Sequence, residues 1–424
     1  MADYADRERY IPYRRSDVVE MCLREGRLPS EEAESFRELC RILQSLFHFE
    51  FHERLESLKD SYAPFNPDAD TRRIREVSGA ELAASQASLV RGLTEVLNAA
   101  NYERVTQEDL ERALAEESLF KIRLHVDFED FEEVIFFARG RSTAKETLRR
   151  FLGLGKQELE FVNLSRVLIY VKFKKQAWFD AAGRKDLFFR PGSTIIKLFQ
   201  DVPAADLEML FPNTEVRMKP VDKLLIGVPA AIGGIAVVAT KLLGTIFLVA
   251  SLVAFWLGLS RQSVRIDQGA LVALAIGLAT LGGYVIKQIS NFKARKLKFM
   301  KTLSDSLYFK NLDNNAGVLN HLFDAAEEEE CKEAILGYYF LLTSERGLSE
   351  PELDDVIEDW FERKWGCRID FEADDALHKL VRLELVSRGG EILRARPLAE
   401  AKSRLDYIWD NYFDYNREPV APVS

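Results

Sequence analysis

Residues Leu224–Ile286 constrain this chain more than any other stretch, because three runs within them carry no charge: Leu224–Thr240, Leu242–Ser260 and Gln268–Ile286. A bilayer core of about 30 Å is crossed by about 20 residues of apolar helix. The last two runs, of 19 residues each, meet that length. The expected class is therefore an α+β integral membrane protein with a transmembrane helical hairpin over residues 219–290. The pair Gly233-Gly234 is a natural break, and Lys241 lies near enough to one end of its leg to snorkel. Arg217, Lys219 and Lys223 precede the block and Lys287–Lys301 follows it without an acid, whereas the connecting loop holds only Arg261 and Arg265 against Asp267. By the positive-inside rule both flanks face the cytoplasm. Two spans are the simplest topology, and the Leu224 run leaves three open.

Small residues recur at four-residue spacing in both legs: Ala250, Ala254 and Gly258 in the first, Ala275, Ala279 and Gly283 in the second. Such stripes let helix backbones approach closely in lipid. They point to packing of the legs on each other, with a homo-oligomer formed through one stripe as the alternative. Lys293, Arg295, Lys296 and Lys298 suit the headgroups of a lipid bilayer containing anionic lipids. The net charge of −10 is uneven: residues 320–424 alone carry −12, with 13 basic and 25 acidic side chains. That tail argues against nucleic acid and for an unknown protein partner bound through the acidic C-terminal domain. The four cysteines, Cys22, Cys40, Cys331 and Cys367, form no close pair. Neither a disulfide framework nor a zinc site is expected of them.

Periodicity divides the remainder. Residues 1–118 read as an N-terminal helical layer, with Ser16 and Pro29–Glu32 as helix starts and Thr106 capping a last helix that ends near Glu117. The period changes from 3.6 to 2 at Ile122–Phe128, and residues 119–218 read as a small antiparallel β domain. Its strands are Val134–Ala138, Arg166–Lys174, Asp186–Arg190 and Thr194–Phe199, with Thr143–Phe151 as a helix across them. Residues 291–323 form a basic juxtamembrane helix followed by a polar turn. Residues 324–416 give helices near Ala325–Thr343, Ser349–Trp365 and Phe371–Leu385, a short hairpin turning at Gly389-Gly390, and a helix over Pro397–Phe413. Three helices and then a hairpin is the order of a winged helix.

Chemistry is harder to place. His48 and His52 share a helix face with Glu56, but the glutamate of a zinc-protease HExxH is missing from between them. Gly153–Lys156 lacks the glycine spacing and the hydroxyl residue of a phosphate loop. No nucleophile elbow, kinase set or dinucleotide fingerprint occurs, so no catalytic, cofactor or metal residue is assigned. Asn311, Asp313, Asn314 and Asn315 form a candidate polar site, with capping of adjacent helices as their plainer role. The run Glu327–Glu330 reads either as a solvated first helical turn, where acids suit the dipole, or as a contact for a basic partner.

Four segments together resemble a known family: Arg7–Asp17 (RERYIPYRRSD), Phe188–Gly192, Lys219–Lys223 and Leu307–Leu341. They are similar to the proteins related to transmembrane protein 143, classed under domain of unknown function 3754. The resemblance implies a membrane-anchored protein of bacteria and organelles, with no established reaction to carry over. The N-terminus has no Arg-rich, acid-poor transit peptide. A multi-pass protein of a bacterial inner membrane is thus expected, with a mitochondrial membrane as the alternative. The expected function is a membrane-anchored adaptor or regulator. An enzyme using Asn311, Asp313, Asn314 and His321 on a membrane-near substrate, or an oligomeric channel or transporter subunit, are the alternatives.

Overall fold

A computed structural model describes residues 7–72, 74–75, 77–106, 123–149, 156–184, 187–217 and 307–413, with scattered positions between 250 and 305. The N-terminal helical periods become α1 (Arg15–Arg24), α2 (Ser30–Tyr62) and α3 (Gly79–Ala99). In α2 the buried positions Phe36, Leu39, Cys40, Leu43, Leu46 and Phe47 step by three and four, so one stripe meets the core. Ser78 starts α3 with a capping box: its hydroxyl accepts the Glu81 N–H at 3.3 Å, and Glu81 accepts the Ser78 N–H at 2.8 Å. The helix expected to end near Glu117 lies outside the described residues.

The sheet comprises β1 (Glu103–Arg104), β3 (Phe131–Arg149), β4 (Lys156–Phe173), β5 (Thr194–Pro203) and β7 (Asn311–Asn314), antiparallel and in the order β1-β3-β4-β5-β7. A short α4 (Gln176–Ala181) joins β4 towards β5. Strands β2 (Arg123–His125) and β6 (Glu215–Arg217) form a separate pair. Alternate residues Ile135 and Phe137, Leu168 and Tyr170, and Ile196 and Leu198 point to one face and join the main core. The helix expected over Thr143–Phe151 is instead the far end of β3, where Thr143 pairs with Val162 and Arg149 with Lys156. Expected strand Asp186–Arg190 is also absent from the strands formed by the described residues.

Helix α5 (Ala316–Leu342) is the centre of the core. Every residue from Cys331 to Leu341 is buried, and a helix buried on all sides is an interior helix. It packs against α2 and α3, and against α6 (Glu350–Trp360) and α7 (Ala373–Arg382). Beyond α7 come the hairpin β8 (Val386–Gly389) and β9 (Ile392–Ala395), then α8 (Leu398–Asp410). The described order is therefore three helices, α5 to α7, then a hairpin and a further helix. Cys22, Cys40 and Cys331 are buried free thiols on α1, α2 and α5; burial pushes the Cys331 thiol up to about 12.

The chain forms two units, one of residues 1–116, 128–207 and 310–424, the other of residues 117–127 and 208–309. Only the first contains the elements just described as the core. In the second, the expected membrane class has to be corrected. Among the described residues no helix is long and apolar enough to cross a membrane, which overturns the transmembrane hairpin, the multi-pass topology and the inner-membrane location. An uncharged run is necessary for a span, but a span must also be one continuous helix of about 20 residues. Residues 253–256 are helical, yet Leu257 and Gly258 form a turn, Gly258 with φ +72°. Ala275, Ala279 and Gly283 are helical and exposed, as is Lys293. Leu224–Thr240, Arg295, Lys296 and Lys298 lie outside the described residues.

Candidate functional site

The Arg7–Arg15 segment, expected within the N-terminal helical layer, instead runs across α5 as an extended strap that leads into α1. Pro12 restricts Ile11 to extended backbone, and the strap's polar backbone groups are met by charged side chains of α5. The Ile11 N–H donates to Glu329 Oε2 at 3.1 Å, and Lys332 Nζ donates to the carbonyls of Ile11 at 2.6 Å and Tyr13 at 3.1 Å. Lys332 and Glu329, both buried, pair at 2.9 Å. The Arg15 N–H donates to Glu328 at 3.1 Å while its guanidinium meets Glu327 at 2.9 Å.

Glu327–Glu330 is thus neither a solvated first turn nor an outward docking patch. Helix α5 starts at Ala316, so the run falls mid-helix. Four consecutive positions at about 100° each sweep most of the circumference, and some must face the core. Glu330 and Glu333 both reach Lys379 of α7, at 2.8 and 2.6 Å. Burial opposes the Lys379 charge, but the two carboxylates outweigh it and hold the ammonium above its ordinary pKa. Burial pushes Glu329 up, against the pull of Lys332. Glu327 Oε2 also accepts from His48 Nδ1 at 2.9 Å, so that histidine has a carboxylate partner. No group of three or more metal-binding side chains occurs among the described residues.

Above this network lies a cleft of about 490 Å³, walled by Arg7–Tyr10, Asn101, Glu103, Arg139–Arg141 and Asp370. Arg139 lies between the rings of Tyr10 and Tyr102, 5.0 Å from each centroid, and donates to the Ala100 carbonyl at 3.1 Å. Burial, then the neighbouring Glu103, pushes the Glu8 carboxyl up, while Arg139 opposes them. Glu103 is held loosely by Arg9 at 3.8 Å and Arg141 at 3.5 Å. Arg7 pairs with Glu358, and Arg9 with Glu372 and, at 3.9 Å, Asp370. The backbone of Glu8 exchanges two hydrogen bonds with a short extended stretch: its N–H donates to the Arg368 carbonyl and its carbonyl accepts the Asp370 N–H, both at 3.0 Å. The strap is thus held here by charge and by backbone pairing.

The residues expected as a polar site have other duties. Asn311, Asp313 and Asn314 belong to edge strand β7, where Asn314 pairs with Lys197, Asp313 with Leu198 and Asn311 with Phe199 of β5. Asn315 is buried at φ 53°. Its Oδ1 accepts from Tyr62 at 2.9 Å and from the Ile196 N–H at 3.1 Å, and its Nδ2 donates to Asp68. It occupies the N-cap position of α5 without a side-chain cap bond. Asp313 turns instead to His321, 3.4 Å away, and covers Gly317, where a Cβ would meet its carboxylate at 2.2 Å. Of the expected polar residues, the structure thus brings Asp313 together with His321, while Asn315 faces Tyr62, Ile196 and Asp68. The strap was missed; its one signal is the apolar Tyr10–Tyr13 set among charges.

The described residues form an α+β fold in which a strap from the N-terminal segment is held by charged side chains of α5 and by backbone hydrogen bonds. Residues 164–317 match the family model for a protein of unknown function, DUF3754. That match supports the domain-level resemblance, while the narrower likeness to transmembrane protein 143 has no such support. It runs from β4 to the start of α5, and the strap, α6 and α7 lie beyond it. No solved structure matches the chain at a significant level.

Proposed function

We propose that this chain is an adaptor or regulatory protein that binds a basic segment of a partner protein through its acidic C-terminal half. One observation carries the reading: that surface already holds a basic segment, since Arg7 and Arg9 of the strap pair with Glu358 and Glu372. Further acid remains around them. Asp355, Asp374 and Asp375 are exposed, and with Asp370 they extend the patch along α6 and α7. Complementary charge sets specificity and association rate more than raw affinity. The test is anisotropy of a labelled arginine-rich peptide titrated with the full chain at low and at physiological salt. Binding that weakens with salt and with Asp355→Asn/Asp374→Asn is expected. Absence of binding at low salt refutes the reading.

A further inference from the structure

We propose that Arg7–Arg9 is a built-in competitor: it occupies, within the chain, a strand-addition edge at Arg368–Asp370 that takes an extended Arg-x-Arg segment of a partner protein. The proposal rests on the adaptor reading and adds to it where the partner sits and what holds the place shut. Three features define the edge. Its backbone pairs in parallel with a single strap residue, Glu8 opposite Ile369, and main-chain pairing of this kind accepts any extended peptide. Residues two apart on an extended chain lie on the same side, so Arg7 and Arg9 flank Glu8 and reach Glu358 and Glu372 together. Glu358 is already aimed, because its other oxygen accepts the Phe371 N–H at 3.1 Å.

The strap is held unequally along its length, which is what a displaceable occupant requires. Ile11 is 4 % exposed and is locked by Glu329 and Lys332. The Arg9 side chain is 43 % exposed, and the layer below ties it only by its carbonyl, bonded to Asn101 Nδ2 at 2.9 Å, and by the loose pairing with Glu103 at 3.8 Å. Arg7 is held more firmly, its side chain 15 % exposed against Glu358 at 11 %, so release of Arg7–Arg9 with Ile11–Arg15 left in place must break that pair. The edge also holds more acid than the strap answers. Asp354 Oδ1 is buried without a hydrogen-bond partner among the described residues, beside Asp355, Asp370 and Asp374, against which Arg7 of the strap sets a single opposing charge. A partner segment that brings one further cation satisfies it, and charge complementarity therefore selects a basic peptide over a neutral one.

The experiment uses the full chain and a fluorescent peptide with the sequence of residues 7–13. It compares the native chain, Arg9→Ala, Arg7→Ala/Arg9→Ala and Glu372→Gln, each checked for an unchanged melting profile. Removing a competitor that is engaged about nine-tenths of the time tightens apparent binding about tenfold. The double variant should show that gain, Arg9→Ala part of it, and Glu372→Gln weaker binding than the native chain. Arg9→Ala alone keeps the test valid if the double variant folds poorly. Equal, salt-sensitive affinity across the four chains overturns the competitor and leaves the adaptor reading standing. No binding to any of them overturns both. Sedimentation adds the remaining case: a 1:1 chain–peptide complex supports the proposal, and a dimer of the arginine-free chain that excludes the peptide assigns the edge to a second copy and overturns it.

Discussion

Lys379 shows what the buried charges do at the scale of one residue. Its ammonium lies between Glu330 and Glu333, at 2.8 and 2.6 Å, and is itself buried. Removing one member of such a set strands the others, at a cost of about 3–5 kcal/mol. Lys379→Met should therefore lower the denaturation midpoint strongly, and adding Glu330→Gln and Glu333→Gln should recover most of the loss. Recovery is the informative half, because simple loss of packing would not be repaired by neutralising the carboxylates. Asp354 behaves in the opposite sense. Burial, then Asp370 and Asp355, pushes its carboxyl from the ordinary 3.8 up to about 6. The native state thus holds this proton more tightly than the unfolded chain, so stability falls as pH rises between those values and the penalty is complete above about 6. Asp354→Asn should stabilise the chain at pH 7, by about 1 kcal/mol once the shift is discounted for a half-exposed group. The gain should vanish below the ordinary aspartate range. A denaturation series from acid to neutral pH reads both the size and the direction.

Among the elements, those whose residues carry their own period were legible from sequence. Helix α2 follows from the spacing of Phe36, Leu39, Leu43 and Leu46, and the β8–β9 hairpin from Gly389-Gly390. The far half of β3 was not legible. Ala144, Lys145, Glu146 and Leu148 favour helix locally, but the pairing of Arg141–Arg149 with Lys156–Leu164 overrides that preference. Strand β7 was hidden for a related reason, since Asn311, Asp313 and Asn314 are poor strand formers that take this form only beside β5. The strap was hidden because its partners on α5 are more than 300 residues away in sequence, as Ile11 and Glu329 are. Gly140 joins sheet and strap. It has φ +73°, and a Cβ there would meet Ser165 Oγ at 2.8 Å and the Tyr10 ring at 3.3 Å. Gly140→Ala should cost about 1–3 kcal/mol from the backbone alone. It should also speed hydrogen exchange at the Ile11 amide, because Tyr10 must yield. A stability loss without that faster exchange would separate the strap from the sheet beneath it.

At the scale of the whole molecule, the uneven charge acquires a spatial meaning. The C-terminal residues 320–424 carry −12, and part of that charge is neutralised by the opposite end of the chain through Arg7, Arg9 and Arg15. A winged-helix order usually invites the question of DNA, and the answer turns on α7. A reading helix must present lysine and arginine to phosphates, since that electrostatic term supplies essentially all non-specific affinity. Helix α7 has two such side chains, and both are engaged: Lys379 is buried against α5, and Arg382 makes two hydrogen bonds to Glu50 of α2, at 2.8 and 2.9 Å. Its exposed positions begin with Asp374 and Asp375, which repel a phosphate backbone. In the hairpin, Arg388 is paired with Glu350 at 3.1 Å, and just beyond it Arg396 is paired with Glu400 at 3.5 Å; Arg394 is exposed, one cation against the acids of α7. The full chain should therefore give no mobility shift with duplex DNA at physiological salt. Arg382→Glu should leave that result unchanged, whereas it should destabilise the α2–α7 contact by setting two acids against each other. If duplex DNA instead bound tightly, with affinity falling steeply as salt rises and with Arg382→Glu abolishing it, the helix would have to leave α2 to reach the groove, and the acidic half would be a nucleic-acid module after all.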